Sequence, residues 1–381
     1  MKNVHRIEDY FTIKYTHKIF FTENVFSQEN YILKNILEKD ANSKALIVMD
    51  NGVVENNEPL LPSIEEYFKS ISTSAKCITI PGGESVKNNL DQLMNVLSLI
   101  DKNHIDRHSY LIGIGGGAVL DITGFAAAIA HRGIRYIRLP TTVLAQCDSG
   151  VGIKNGLNLF GKKNFIGTFY PPIAVINDFN FLNSLSQRDK RSGLAEVVKI
   201  ALIKDKTLFE EIQSLSNRLN AFEPSAMKSV IIKCAQLHFD HILNGGDPFE
   251  TGNSKPLDFG HWSAHKLEQI SNFKIKHGEA VAVGIAIDTL YSANTGLIKP
   301  SKAKIIIDQL IKLGFQIYYP DIELKDSNGK LIIMEGLDEF REHLGGKLSI
   351  TLLKDIGKSI EVNDIKLDLL EKALNQLKNY R

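Results

Sequence analysis

The stretch SYLIGIGGGAVLDITGFAAAIA, beginning at Ser109, constrains the fold of this chain most. It reads as a strand, a glycine turn and a helix. Glycines at such a turn let the backbone approach a pyrophosphate, and the helix N-terminus that follows favours negative charge. The cluster is Gly113, Gly115, Gly116 and Gly117. The strict G-x-G-x-x-G pattern asks for a third glycine where Ala118 stands, and alanine is accepted there in the nucleotide fingerprint. On its own the cluster fits a plain tight turn equally well. Two carboxylates favour the nucleotide reading: Asp121, just inside the helix, and Asp50, at the end of another apolar run. Either is placed to meet a ribose or a nicotinamide.

The neighbouring segments extend the pattern. ALIVMD (45–50) reads as a buried parallel strand that delivers Asp50 to the carboxyl edge of a sheet. KCITI (76–80) reads as another, followed by Pro81-Gly82-Gly83-Glu84. The spacing of Leu90, Leu93, Val96 and Leu97 predicts a helix over Val86–Asp101. Ile134–Leu139 is a further strand, stopped by Pro140-Thr141-Thr142. Alternating strands and helices imply a sheet with crossovers. Beyond Asn183–Asp189 the texture changes to long helical patterns: Arg191–Leu202, Ser225–Leu243, His261–Ser271, Glu279–Ala293 and Lys302–Leu313. Only Ser349–Leu353 looks like a strand there. The expected division is an α/β domain over residues 1–183 and a mainly α-helical domain over 184–381.

Composition excludes several classes. With 381 residues, 43% hydrophobic and 23% charged, the chain can bury an ample core. A formal net charge of +1 gives no field for nucleic acid or an anionic membrane. Three cysteines, Cys77, Cys147 and Cys234, lack C-x-x-C spacing and argue for a reducing compartment. The start, MKNVHRIEDYF, has no apolar core of a signal peptide, so a cytoplasmic protein is expected.

The segment Leu257–His277 carries three histidines. His261 and His265 stand four apart and share a face on a helix, and His277 follows a turn-like Ser271-Asn272 break. Upstream, SGLAEVVK offers Glu196 and Lys199 at i,i+3. One Glu and two His make a catalytic zinc set with a position open for substrate, although spacing alone does not prove it. A zincin requires Glu directly after the first His. Trp262 occupies that place, so a metalloprotease is excluded.

The runs GGGAVLDITGFAAA, HRG, LPTTVLAQCDSGVGIK, GKKNFIGTFYPP, SGLAEVVK and DFGHWSAHKLE together resemble the sugar phosphate cyclases, of which 3-dehydroquinate synthase is the best known. The resemblance runs from about Ala45 to Ile356. It implies an N-terminal NAD-binding α/β domain, a helical C-terminal metal domain and a homodimer. It places zinc, or cobalt, on Glu196, His261 and His277. It places NAD on Asp50, Glu84, Lys87, Gly116, Gly117, Asp121, Thr141, Thr142 and Lys163. Substrate and catalytic positions carry over to Asp148, Lys154, Asn164, Lys199, Lys233, Asp258 and His265. Arg132 matches an arginine that reaches the neighbouring subunit's phosphate site. The implied chemistry is oxidation of a seven-carbon sugar phosphate, elimination of phosphate, return of the hydride and an intramolecular aldol closure.

Departures from 3-dehydroquinate synthase bear on the substrate. That enzyme reads a carboxylate with an arginine and an asparagine. Here the arginine place is Ser254, with Lys255 beside it, and the asparagine place is Asp258. Trp262 replaces a threonine and Ala264 a glycine. A lysine pair expected near the C-terminus appears as Arg341-Glu342. An anion at Asp258 disfavours a substrate carboxylate. The chain therefore resembles more the cyclases that take sedoheptulose 7-phosphate, or the ebo type of secondary-metabolite clusters. The alternatives are a shikimate-pathway 3-dehydroquinate synthase using Lys255, a metal-dependent polyol dehydrogenase, and a non-catalytic sugar-phosphate-binding relative.

Overall fold

The computed structural model describes residues 6–37, 43–249, 256–343 and 345–380. Its N-terminal part is built on six parallel strands. These are β1 (Ile19–Thr22), β2 (Lys44–Asp50), β3 (Ser74–Ile80), β4 (Tyr110–Gly115), β5 (Arg135–Pro140) and, after the hairpin of β6 (Lys154–Leu159) and β7 (Lys162–Phe169), β8 (Ala174–Asp178). The sheet order is β1-β8-β5-β4-β2-β3, with every pair parallel. β2 and β4 are neighbours, yet the chain leaves β2 toward one edge and β4 toward the other. The crevice at their carboxyl ends is thus a topological switch point, where open α/β sheets bind ligands. Asp50 and Gly115–Gly117 lie there.

The apolar runs at β2 and β4 form strands because both faces of the sheet are covered. Ile47, Met49 and Ile112 pack on one face, and Leu46, Val48 and Leu111 on the other. The single helix expected over Val86–Asp101 is split. A 3-10 turn, Glu84–Asn88, precedes a helix that starts at Leu90, and Asn89 caps that helix by accepting from the Asp91 backbone N–H at 2.8 Å. The extended Asn89 backbone breaks the run and frees Lys87 to turn inward. β1, β8 and the hairpin were not legible in the sequence. β6 and β7 are rich in lysine, asparagine and glycine, and show no apolar alternation.

The sheet ends at Asp178, and helices dominate from Gln187 onward. They include Gln187–Lys204, Pro224–Asn244, His261–Ile270, His277–Asn294 and Pro300–Lys312. An antiparallel pair, β9 (Ile350–Asp355) and β10 (Lys358–Val362), packs among them. The His277–Asn294 helix is buried on nearly every side, which explains its lack of a polar stripe. It can approach its neighbours closely through two glycines. A Cβ on Gly278 would overlap the Ser192 carbonyl, and one on Gly284 would overlap the Gly260 carbonyl. Among the described residues, no helix is long and apolar enough to cross a membrane.

Arg138, wholly buried in β5, organises the loop that leaves the sheet. Its guanidinium donates to the carbonyls of Gly150 at 3.1 Å, Gly152 at 2.6 Å and Lys154 at 2.8 Å, and to Asn155 Oδ1 at 2.7 Å. The loop is wound around this cation, whose planar fork can serve several acceptors at once. The turn carrying Asp148 lies at one end of the loop and Lys154 at the other. Arg138→Met should leave these carbonyls unpaired and cost at least about 2 kcal/mol. Chemical denaturation checks this, and an unchanged midpoint would contradict it.

Candidate metal centre and nucleotide edge

Glu196, His261 and His277 come together from three helices, with their ligand atoms within 4.8 Å of one another. His277 Nε2 lies 3.4 Å and His261 Nε2 3.6 Å from Glu196 Oε1. A tetrahedral zinc with bonds of about 2.0–2.1 Å spaces its ligand atoms about 3.3 Å apart, so each imidazole nitrogen stands near the separation from Glu196 Oε1 that one shared ion requires.

The second nitrogen of each imidazole is already occupied. His261 Nδ1 lies 3.1 Å from the Phe259 carbonyl, and His277 Nδ1 lies 3.0 Å from Glu268 Oε2. Donation through Nδ1 leaves Nε2 as the ligand atom, a common arrangement around metal-binding histidines. Glu196 is fully buried. Lys199 Nζ lies 2.5 Å from Oε2, but neither carboxylate oxygen has a hydrogen bond of proper angle among the described residues. The Lys199 contact is therefore ionic, and Oε1 faces the histidines. An orphaned buried carboxylate oxygen between two imidazoles fits a divalent cation.

The electrostatics agree with this arrangement. Burial opposes the Glu196 charge, but Lys199, with His277 and His261, holds the carboxyl low. Burial also disfavours a charged Lys199, yet Asp148 and Glu196 hold its ammonium protonated. His277 is pushed up to about 9: burial lowers it, and Glu268 and Glu196 raise it further. Without an ion, His277 thus carries a proton on Nε2, and metal binding must displace that proton. Burial pushes His265 well down, so its imidazole is neutral. The His265 ring lies 5.4 Å from that of His261 and 6.0 Å from that of His277.

Two further carboxylates border the centre. Asp148, on the turn Ala145–Ser149, lies 4.0 Å from Lys199 Nζ and 2.8 Å from His238 Nδ1. Burial would raise its carboxyl, but Lys199 and His238 hold it well below the usual range. Asp258 ends the 3-10 turn Pro256–Asp258, three residues before His261, and its charge is felt at Lys199 and His261. Ser254 and Lys255 lie outside the described residues.

A second constellation lies at the crevice. Lys87 is buried and donates to Asp121 at 2.7 Å and to Asn164 Oδ1 at 2.5 Å. Glu84 accepts from Asn158 at 3.0 Å. Asp50 caps the next helix through the Gly52 N–H at 2.9 Å. Thr142 Oγ1 accepts from the Ala145 N–H at 3.1 Å, and the Thr141 and Ser149 hydroxyls are buried without partners among the described residues. A Cβ on Gly117 would approach Ser149 Oγ to 2.8 Å. A glycine-lined helix start beside unpaired hydroxyls fits a dinucleotide pyrophosphate.

The β6–β7 hairpin joins the two constellations. Asn158 and Asn164 face the Lys87 side, while Lys163 contacts both oxygens of Glu268 at 3.0 and 3.1 Å. Lys163, expected at the cofactor, is thus engaged with the carboxylate that orients His277. Lys154 begins β6 beside the Arg138-wound loop. Arg132 is exposed on a turn with a left-handed φ of 59°, outside both constellations.

Lys233 requires a correction. Its side chain is 53% exposed and ion-paired with Glu211, so the structure does not bring it to the centre. Its helix, Pro224–Asn244, instead sends His238 to Asp148. Glu268 and His238 were missed in the sequence. Glu268 had a signal, standing three residues after His265 on the same helix. His238 had none, because its partner lies 90 residues away. Lys233→Ala should leave metal content intact and shift stability by no more than about 1 kcal/mol, as for other exposed pairs. Loss of metal in that variant would show that Lys233 acts at the centre.

Two family profiles match end to end: 3-dehydroquinate synthase N-terminal over residues 77–192, and 3-dehydroquinate synthase C-terminal over residues 193–332. The 3-dehydroquinate synthase of Campylobacter fetus is 41% identical over 244 residues, covering 64% of this chain and 68% of that protein. The Campylobacter concisus enzyme is 33% identical over 329 residues, covering 86% and 91%. Among solved structures, 2-epi-5-epi-valiolone synthase from Streptomyces hygroscopicus subsp. jinggangensis, solved with NAD+ and Zn2+ bound, superposes with a TM-score of 0.86. It is 24% identical and the match covers 99% of this chain and 100% of that one. The chain belongs to the 3-dehydroquinate synthase family of sugar phosphate cyclases.

Proposed function

We propose that this protein is a NAD- and metal-dependent cyclase that eliminates phosphate from a seven-carbon sugar phosphate and closes a carbocycle. Its preferred substrate is neutral apart from the phosphate, as in sedoheptulose 7-phosphate. When bound, NAD+ takes up and returns a hydride, and the metal ion polarises the substrate oxygens it holds. The metal would rest on Glu196, His261 and His277. NAD would lie along Asp50, Glu84, Lys87, Gly116, Gly117, Asp121, Thr141, Thr142 and Lys163.

The chain's own groups bind and orient. Lys154, Asn164 and His265 are the right donors for a phosphate, and Arg132 would complete that site from a second copy in a homodimer. His265 is neutral, so it offers one N–H rather than a charge. Lys199, held protonated between Asp148 and Glu196, keeps two carboxylates compatible in one buried pocket and can donate to a substrate oxygen. Asp148 and Asp258 accept hydrogen bonds from substrate hydroxyls.

Asp258 carries the choice of substrate. A carboxylate acting on Lys199 and His261 would meet a substrate carboxylate as a like charge. Losing one charge-assisted contact costs roughly 1.5–3 kcal/mol, about ten- to a hundredfold in affinity. A second reading, 3-dehydroquinate synthase itself, is favoured by the curated relatives, including one 33% identical over 91% of its length. A polyol dehydrogenase would have no use for the phosphate donors. A non-catalytic relative would not need the full Glu/His/His set.

Two measurements test this. His277→Ala should lose bound metal and turnover together, and full metal occupancy in that variant would refute the ligand set. The unmodified protein should release phosphate from sedoheptulose 7-phosphate at least about tenfold faster than from the carboxylated seven-carbon precursor, with no net rise in NADH absorbance. Faster turnover of the acid would restore the 3-dehydroquinate synthase reading. Stoichiometric NADH release would support a dehydrogenase.

A further inference from the structure

Asp288 belongs to none of the groups above. It lies on the His277–Asn294 helix and is buried. Its Oδ2 accepts from the Gly260 backbone N–H at 2.9 Å, and its Oδ1 accepts from the Trp262 indole N–H at 2.8 Å. These two donors flank His261 in the chain. Gly260 is the residue that starts the His261–Ile270 helix. It has a left-handed φ of 78° and no side chain with which to cap that helix. A helix start is normally fixed by a local Ser, Thr, Asp or Asn. Here a carboxylate from a neighbouring helix does it, one residue to each side of a metal-ligand candidate.

The packing adds a second constraint. Gly284, one turn before Asp288, lies against the Gly260 carbonyl so closely that a Cβ would overlap it. The turn that carries His261 is therefore held against the His277 helix by a backbone contact and by a forked carboxylate. Trp262 stands where the family motif has threonine, so the indole N–H is available for this contact in this chain.

We propose that Asp288 is a positioning residue for the metal centre. It anchors the Gly260–Trp262 turn to the helix that begins with His277, so both imidazoles are referenced to one rigid element. The proposal rests on the metal reading above. Ligand geometry must hold to within about 0.5 Å, and loss of the anchor lets His261 drift relative to His277. Asp288→Asn keeps the shape but turns one acceptor into an N–H2 group facing a donor. Trp262→Phe removes only the indole contact.

The test uses full-length apoprotein titrated with Zn2+ against a chromophoric chelator, and with Co2+ followed by its visible bands. Asp288→Asn should bind Zn2+ about 10- to 100-fold more weakly, as for other groups that orient metal ligands, and its Co2+ bands should shift. Trp262→Phe should move in the same direction by a smaller factor. NAD+ affinity should stay unchanged in both variants. Wild-type protein that binds no stoichiometric Zn2+ would sink the metal reading itself. Wild-type binding with unaltered affinity and Co2+ bands in Asp288→Asn would overturn this inference, even if that variant melts earlier. If Asp288→Asn does not fold, Trp262→Phe decides: unaltered affinity and bands there overturn the proposal.

Discussion

A fully buried carboxylate, Glu196, sets the terms for everything around it. A lone ionised carboxylate in an apolar interior is costly and must be compensated by charge. Lys199, one helical turn away, supplies one compensation from one side. On the other side, imidazole nitrogens stand at 3.4 and 3.6 Å. Those nitrogens are turned toward Glu196 because their opposite faces are held by Phe259 and Glu268. The charge problem propagates outward: Glu268 is compensated by Lys163 and His277, and Asp148 by Lys199 and His238. The centre is a closed network of alternating signs, in which each group explains the placement of the next.

Such a network needs rigid supports, and the fold supplies two. On the helical side, His277–Asn294 is buried almost all round and touches Ser192 and Gly260 through glycines, so it cannot slide without repacking the core. On the sheet side, Arg138 winds the loop between Asp148 and Lys154 around one guanidinium. The β6–β7 hairpin then spans the gap, with Asn164 at Lys87 and Lys163 at Glu268. A dinucleotide at the switch point and an ion at the histidines would meet across this hairpin.

Much of this was legible in the sequence, for identifiable reasons. β4 and its helix were visible because the glycine cluster punctuates an apolar run. Among the long helices beyond Gln187, Pro300–Lys312 was visible because its amphipathic spacing persists over several turns, and His277–Asn294 because its apolar run is too long for a strand. The Glu/His/His set emerged from a dense run of motifs. The hairpin was invisible because its strands are short and polar. The break at Asn89 was invisible because one capping asparagine interrupts an unbroken helical period. Lys233 was misplaced because a lone lysine on a helix carries no sign of which way it faces, and Glu211 claims it. Asp288, Arg138 and His238 act through contacts distant in the chain, which local patterns do not record.

Anomalous diffraction from crystals of the full chain soaked with Zn2+ locates the ion directly. One strong peak should be bonded to Glu196 Oε1, His261 Nε2 and His277 Nε2, with Glu268 still holding His277 through Nδ1. A peak on the neighbouring set His265, Glu268 and His277, or none in this region, would rule out Glu196, His261 and His277 as the ligand set.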